Sequence, residues 1–357
     1  MILRSLTLQH FRSYDKATFE FSPTTTVILG MNTAGKSNLL ESLFLLASGK
    51  SFRAEKDVQM IKFGSPFARV LGVVDGEGGT EHLEVAITDT NAAGSGRAYA
   101  KKLLRNGVPK RRSDFAGILP ALLFVPSDLD IITSSPTNRR HFLDAVLEIT
   151  DREYRVAQIA YEKALRQRNA LLETVKDTGL RNTKQFSYWD ELLIKNGGYI
   201  TEKREELLAY LLETKKALID FSLTYDHSKI SEERLLEYRV QEEASGNTLV
   251  GPHRDDFSIF LLQSGVSKDV KSFGSRGQQR LVVLQLKLLQ LTYMEKILGE
   301  RPLLLLDDIF SELDQGHIED VLAVIKLQQT VLSTTHEEFL KVGLPDQTKI
   351  IELEKEK

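Results

Sequence analysis

The sequence predicts an α/β protein in which a helical lobe interrupts a strand-rich domain. Three observations predict it. A short apolar run, "TTVILG", leads into a glycine-rich turn and then into the helical "SNLLESLFLLAS". Four consecutive leucines in "RPLLLLDD" read as a strand buried on both faces, as in a parallel sheet. Between them, from about Pro136 to Tyr225, apolar residues recur at three- and four-residue spacing with charges between, which is helical periodicity.

The elements follow in chain order. "ILRSLTLQHF" alternates as a half-buried strand, and "TTVILG" is a buried one. "FARVLGVVD" and "EHLEVAITD" form a strand pair bridged by the glycine-rich "GEGG". "KKLLRNGVPKRR" centres on Asn106-Gly107, a strong hairpin signal. The runs "NRRHFLDAVLEIT", "YRVAQIAYEKALRQRNALLETV" and "FSYWDELLIKNGGYITEKREELLAYLLETKKALIDF" are helical, with Gly197-Gly198 marking a break or a packed crossing. Strand-like texture returns from about Arg239. The expected division is a domain of 1–135 and 239–357 around a helical insert of 136–238.

Composition narrows the function classes. The 357 residues carry 47 basic and 50 acidic side chains, net −3, so no whole-molecule field pulls toward nucleic acid. Any polyanion site must come from local clustering. The absence of cysteine excludes disulfides, thiolate zinc sites and cysteine nucleophiles, and fits a reducing cytoplasm. The N-terminus has no apolar signal segment, and no run is long enough to span a membrane, so a cytoplasmic location is expected.

The chemistry begins at "GMNTAGKSN", which is Gly30, Met31, Asn32, Thr33, Ala34, Gly35, Lys36, Ser37 and Asn38. Such a loop curls its N–H groups around phosphate oxygens, Lys36 adds charge for the β- and γ-phosphates, and the Ser37 hydroxyl ligates Mg²⁺. The strand before it and the helix after it put the positive end of the helix dipole at the phosphates. Asp307 ends the leucine strand, placed to hold the metal's water shell; Asp308 follows and can polarise an attacking water. "SFGSRGQQRLVVLQLKLLQL" offers Ser275, Gly277 and Gln278 at a helix N-terminus suited to a γ-phosphate. "TVLSTTH" is a strand ending at His336, placed to sense that phosphate.

These pieces in this order resemble the ABC-type ATPases: P-loop Gly30–Ser37, signature Ser275–Gln278, Walker B Leu303–Asp307, D-loop Ser311–Asp314 and switch His336. More narrowly, "LQHFRSY", "PSDLDIITSSPTNRRHFLD", "VGPHRDDF", "SRGQQR" and "LLLLDDIFSELD" resemble the RecF family, related to the SMC ATPases. Thr33 departs from that family's usual glycine, Ser127 from an acid and Ser134 from a glycine. Asp308 stands where most ABC ATPases have glutamate; the shorter carboxylate implies slow hydrolysis. In transporter ATPase domains the signature stands much closer to the P-loop, and the zinc-hook repair ATPases need cysteines that this chain lacks.

The resemblance implies an ABC-type (SMC/RecF-like) ATPase head assembled from both ends of the chain. It implies ATP and Mg²⁺ as cofactors, and an ATP-dependent homodimer in which each copy lends Ser275 to the other's γ-phosphate. The implied partners are double-stranded DNA, junctions of single and double strands, and RecR and RecO. The implied work is recombinational repair, recovery of replication forks and SOS induction. Arg12 reads either as a nucleotide contact or as a surface ion pair, and Arg53 is a further candidate. For DNA, the basic residues Lys101, Lys102, Arg105, Lys110, Arg111 and Arg112 surround the expected hairpin turn; the alternative is a solvated hairpin. Arg139 and Arg140 fit structural pairs with Asp144 and nearby acids. A second function class stays open: an ATPase serving a non-DNA protein through its helical lobe.

Overall fold

The computed structural model describes residues 1–76, 78–89, 99–263, 266–312, 315–335, 344–345 and 347–354. The chain forms two compact units, Met1–Asp128 with Met294–Lys357, and Leu129–Tyr293.

The first unit holds two sheets. The antiparallel one contains β1 (Ile2–Phe11), β2 (Tyr14–Glu20), β4 (Phe67–Gly76), β5 (Gly79–Asp89), β6 (Tyr99–Arg105) and β7 (Val108–Lys110), in the order β2-β1-β4-β5-β6-β7. β1 buries Leu3, then Leu6 and Leu8. The change of parity follows a register shift against β4 between Leu3 and Ser5, which turns the strand by one residue. β4 and β5 pair from Phe67↔Thr88 to Gly76↔Gly79, as the alternating runs predict. Asn106 and Gly107 both have positive φ, 51° and 77°, the geometry a two-residue hairpin turn needs.

The second sheet of this unit is parallel: β3 (Thr25–Gly30), β8 (Ala121–Phe124), β12 (Leu303–Asp307), β13 (Thr330–Thr334) and β14 (Lys349–Leu353), in the order β14-β3-β13-β12-β8. Every residue of β12 and β13 is buried, as expected for central parallel strands covered on both faces. The helix Lys36–Ser48 contacts strands of both sheets. Its Leu39, Leu40, Leu43 and Leu46 join one apolar core with Leu6, Val70, Val85 and Leu305.

The second unit is built from the helices Pro136–Thr150, Arg152–Thr178 and Thr183–Glu213, with a small sheet of β9 (Ser222–Asp226), β10 (Asp256–Gln263) and β11 (Val266–Asp269). It extends beyond the expected 136–238 insert. β9 lies inside that insert, but it pairs with β10, which the sequence assigned to the other domain. Gly197-Gly198 does not break its helix. A Cβ on Gly197 would stand 2.8 Å from Ile230 Cγ2 and 3.0 Å from Tyr161 Cε2, so this glycine permits a packed crossing, whereas Gly198 faces open space. The helix stops at Glu213, short of the expected Phe221.

Buried charges tie this unit together. Arg139 pairs with Asp256 through Nε at 2.5 Å and Nη2 at 3.0 Å, and Arg140 Nη1 donates to the Asp255 carbonyl at 2.7 Å. The sequence offered Asp144 and nearby acids as partners for these arginines; the structure pairs Arg139 with the distant Asp256, and Asp144 accepts from Arg204 and from the Tyr154 hydroxyl. Arg204 also donates to Asp255 and to the Pro252 carbonyl. The segments around Arg139 and "VGPHRDDF", far apart in sequence, thus form one scaffold.

Candidate nucleotide site

In open α/β sheets ligands bind beyond the carboxyl ends of the strands. β3 ends at Gly30, β12 at Asp307 and β13 at Thr334. Because β13 lies between the other two, the loop after β3 and the acid ending β12 flank its end.

The loop is curled by two positive-φ residues, Thr33 at 74° and Gly35 at 96°. Threonine stands at the first of these, where a positive φ costs a non-glycine residue about 1–3 kcal/mol of backbone strain. The Lys36 ammonium folds back onto the carbonyls of Gly30 at 2.6 Å and Met31 at 3.0 Å. Burial draws its pKa below the ordinary lysine value, while Asp308 and Asp307 push the other way. Ser37 Oγ donates to Asp307 Oδ1 at 3.1 Å, and Ser333 Oγ donates to the same oxygen at 2.7 Å. The Asp308 N–H donates to the Ser333 hydroxyl at 3.1 Å, and its φ is 49°. Hydroxyl and carboxylate oxygens are the hard donors Mg²⁺ prefers, so Ser37 and Asp307 fit that ion.

The turn between β1 and β2 grips the start of the loop's helix. The Tyr14 hydroxyl donates to the Gly35 carbonyl at 3.1 Å, and Asn38 Nδ2 donates to Ser13 Oγ at 3.0 Å. Arg12 donates to Glu41 through Nε at 2.9 Å and Nη2 at 2.6 Å, and to the Gln59 carbonyl through Nη1 at 2.7 Å. Positions 35, 38 and 41 recur every three residues from the helix cap onward, which is how Arg12 and Ser13 of the turn and Tyr14 at the start of β2 reach all of them. Glu41 is fully buried, accepts from Ser51 Oγ at 2.5 Å and lies 4.0 Å from Arg53, which itself donates to Asn38 Oδ1 at 3.1 Å. Arg12 is therefore engaged in a partly buried ion pair, and Arg53 stands beside the loop.

Sequence reasoning missed Glu41 and Ser333. A lone acid between leucines in "LLESL" was the available signal for the first; nothing local marked the second, because its role depends on β13 lying between β3 and β12. His336 and the D-loop residues Leu313 and Asp314 lie outside the described residues.

In the second unit Ser275 caps the helix Arg276–Leu298. The Gln278 N–H donates to Ser275 Oγ at 3.3 Å, and the Ser275 N–H donates to Gln278 Oε1 at 2.9 Å, a capping box. Ser275 is exposed, and a Cβ on Gly277 would meet nothing within 4 Å. Gln279 is buried and donates from Nε2 to the Val270 carbonyl at 3.1 Å.

The six basic residues near the hairpin do not form one patch. Lys101 pairs with Asp57 at 2.7 Å, Arg105 pairs with Glu81, and Arg112 donates to the Ser48 carbonyl at 3.3 Å. Strand pleating puts Lys101 and Arg105 on the face of buried Leu103 and Lys102 on the other. Lys102, Lys110 and Arg111 are exposed.

Fold and site together define an ABC-type ATPase head, with its phosphate loop and Walker B acid joined across a parallel sheet. A family model described as the RecF/RecN/SMC N terminal domain matches residues 2–355. A protein of Moorella thermoacetica named DNA replication and repair protein RecF is 35% identical over 363 residues, covering 98% of this chain and 94% of its own. One of the same name from Shouchella clausii is 34% identical, covering 94% and 93%. The solved structure of a recombination mediator protein RecF with ATP, described as part of the RecFOR pathway, superposes with a TM-score of 0.83 at 30% identity, over 94% of this chain and 92% of that one. The Smc head domain from Pyrococcus furiosus shares the fold at a TM-score of 0.54 and 18% identity, over 99% and 94%. The chain belongs to the RecF family of DNA replication and repair proteins.

Proposed function

We propose that this protein is an ATP-switched homodimer that clamps double-stranded DNA in recombinational repair. Its place is beside RecO and RecR in the cytoplasm, where it helps load recombinase at single-strand gaps and junctions. The carrying observation is the pairing of Ser37 and Ser333 on one oxygen of Asp307, beside a loop whose lysine donates to the carbonyls of Gly30 and Met31. That arrangement suits a magnesium nucleotide.

When bound, ATP supplies a γ-phosphate for two copies to share, and Mg²⁺ offsets its charge. Lys36 pairs with phosphate charge, and Ser37 and Asp307 hold the metal. Asp308, fixed by its N–H contacts to Ser333, orients water for a slow hydrolysis. Ser275, exposed at the head of a 23-residue helix, presents hydroxyl and helix dipole to the nucleotide of the second copy. Among the basic residues, Lys110 and Arg111 are the DNA-phosphate contacts this reading favours.

Light scattering with ATP, ADP and no nucleotide tests the switch. Dimers are expected with ATP alone, lost in Lys36→Ala and Ser275→Arg, and prolonged in Asp308→Asn. Dimers in Ser275→Arg equal to those of the unaltered protein would reject the shared site. DNA binding is tested at low salt with duplex DNA. The Lys110→Ala/Arg111→Ala variant should flatten the salt dependence by a log–log slope of about 2. If duplex DNA neither binds the ATP-held dimer nor changes turnover, the DNA reading fails in favour of a protein partner.

A further inference from the structure

Two large apolar side chains project from the two halves of the proposed shared site. Met31 follows Gly30 in the phosphate loop and is 76% exposed; Phe273 stands two residues before Ser275 and is 69% exposed. Isolated exposed apolar residues are ordinary on protein surfaces. These two differ in standing on hydrogen-bonded backbone, each within two residues of a group in the proposed shared site.

The backbone of Met31 is pinned. Its carbonyl accepts from Lys36 Nζ at 3.0 Å and from the Ala34 N–H at 3.2 Å. With the carbonyl turned into the loop, the side chain is left to solvent. Phe273 closes a four-residue helical turn, Val270–Phe273, capped by Asp269. Asp269 Oδ2 accepts from the Ser272 N–H at 3.0 Å and from Ser272 Oγ at 2.6 Å. The Gly274 N–H donates to the Val270 carbonyl at 3.0 Å. A Cβ on Gly274 would lie 2.6 Å from that carbonyl oxygen, so glycine is required for the chain to pass. Buried Gln279 donates to the same carbonyl at 3.1 Å and ties the turn to the signature helix. Val270 anchors the turn in the core while Phe273 stays out.

An apolar side chain on a fixed backbone loses only its own rotamer freedom on binding, little for the Phe273 ring and more for the adaptable Met31. Methionine beside an aromatic ring is a favourable pair. Resting on the shared-site reading above, we infer that Met31 of one copy meets Phe273 of the second copy in the ATP-held dimer. Two-fold symmetry makes the contact twice, once beside each nucleotide. The partner is a second copy of this chain, and the contact couples phosphate-loop geometry directly to dimer strength.

The absence of cysteine makes the test direct. Met31→Cys and Phe273→Cys are placed in one chain, also carrying Asp308→Asn to prolong the ATP state, and treated with a short bismaleimide. Cross-linked dimer is expected with ATP and Mg²⁺, and not with ADP, without nucleotide, or with either cysteine alone. Light scattering on the same samples separates the outcomes. A dimer that forms with ATP but does not cross-link overturns this contact and leaves the shared site standing; no dimer in the protein without the cysteines overturns both. As a second measurement, Phe273→Ala should weaken the ATP-dependent dimer about tenfold or more, with Phe273→Leu recovering part of it and ATP binding by the monomer unchanged. Equal dimer strength in Phe273→Ala rejects the inference.

Discussion

Lys36 and Arg204 are both nearly buried cations, 7% and 2% exposed, yet their surroundings are built in opposite ways. Lys36 rests on two neutral carbonyls, and burial draws its pKa down by more than Asp308 and Asp307 raise it. Burial also works against the Arg204 charge, but Asp144, with Tyr154, Tyr225 and Asp255, outweighs it and raises the pKa well above the ordinary value. A cation whose burial outweighs its counter-charge is poised for an anion from outside; one with charge partners to spare is scaffold. At the phosphate loop, burial of the cation thus outweighs the charges around it, whereas in the second unit Arg139 and Arg204 are spent on Asp256, Asp144 and Asp255.

The contrast breaks first at Arg204. Arg204→Ala strands the carboxylates of Asp144 and Asp255 in the interior, and should cost about 3–5 kcal/mol in urea unfolding. A loss no larger than that of a surface substitution would show that the network is not structural.

His253 gives the next effect. Its Nε2 lies 3.0 Å from the Thr248 carbonyl, so that nitrogen carries the proton, and Nδ1 accepts from the Tyr161 hydroxyl at 2.7 Å. Burial foremost lowers its pKa from 6.5 to about 4. The unfolded chain therefore takes up a proton near pH 6.5 that the folded chain refuses until about pH 4. This stability is complete above pH 6.5 and is lost as pH falls toward 4, by about 3 kcal/mol. His253→Gln should flatten that part of the stability–pH curve; an unchanged slope would assign it to other groups.

The glycine pair gives a smaller and opposite-signed comparison. Gly197→Ala drives a methyl against Ile230 and Tyr161 and should destabilise by about 1–3 kcal/mol. Gly198→Ala, in the same helix but facing open space, should stabilise by up to about 1 kcal/mol. Thermal unfolding of the two single variants reads the sign directly. Smallest of all is the stability effect expected of Lys36→Ala, under about 1 kcal/mol, because the lost carbonyl contacts are offset by relief of a desolvated charge. Isothermal titration of that variant with ATP should show binding lost while the unfolding midpoint stays. A large fall in that midpoint would make Lys36 scaffold too.

Much of the site was legible because its signals are local. A phosphate loop is a run of eight residues whose backbone makes the site, an Asn-Gly turn needs two positive φ angles in a row, and a buried parallel strand shows as a run of leucines. The sequence flagged Thr33 only as a departure from the family's glycine; that it holds a φ of 74° came from the structure. The partners were not legible. The sequence left Lys101 and Arg105 open between DNA contacts and a solvated hairpin; in the structure each pairs with an acid, Asp57 and Glu81. It placed 239–293 with the head, whereas pairing of β9 with β10 and of Arg139 with Asp256 carries that stretch into the second unit.

The sequence by itself marked β1, β3 to β7, β12 and β13, the Asn106-Gly107 turn, the phosphate loop and the acid pair Asp307-Asp308, because each depends on residues a few positions apart; it did not mark β9, which lies in the stretch read as helical. Only the tertiary structure decided that Ser333 completes the metal-side oxygen cluster, that Glu41 holds Arg12, and that Arg204 rather than Arg139 neutralises Asp144. Those choices follow from strand order and helix crossing, which bring together groups tens to hundreds of residues apart. There, burial leaves no water to satisfy a charge, so geometry alone selects its partner.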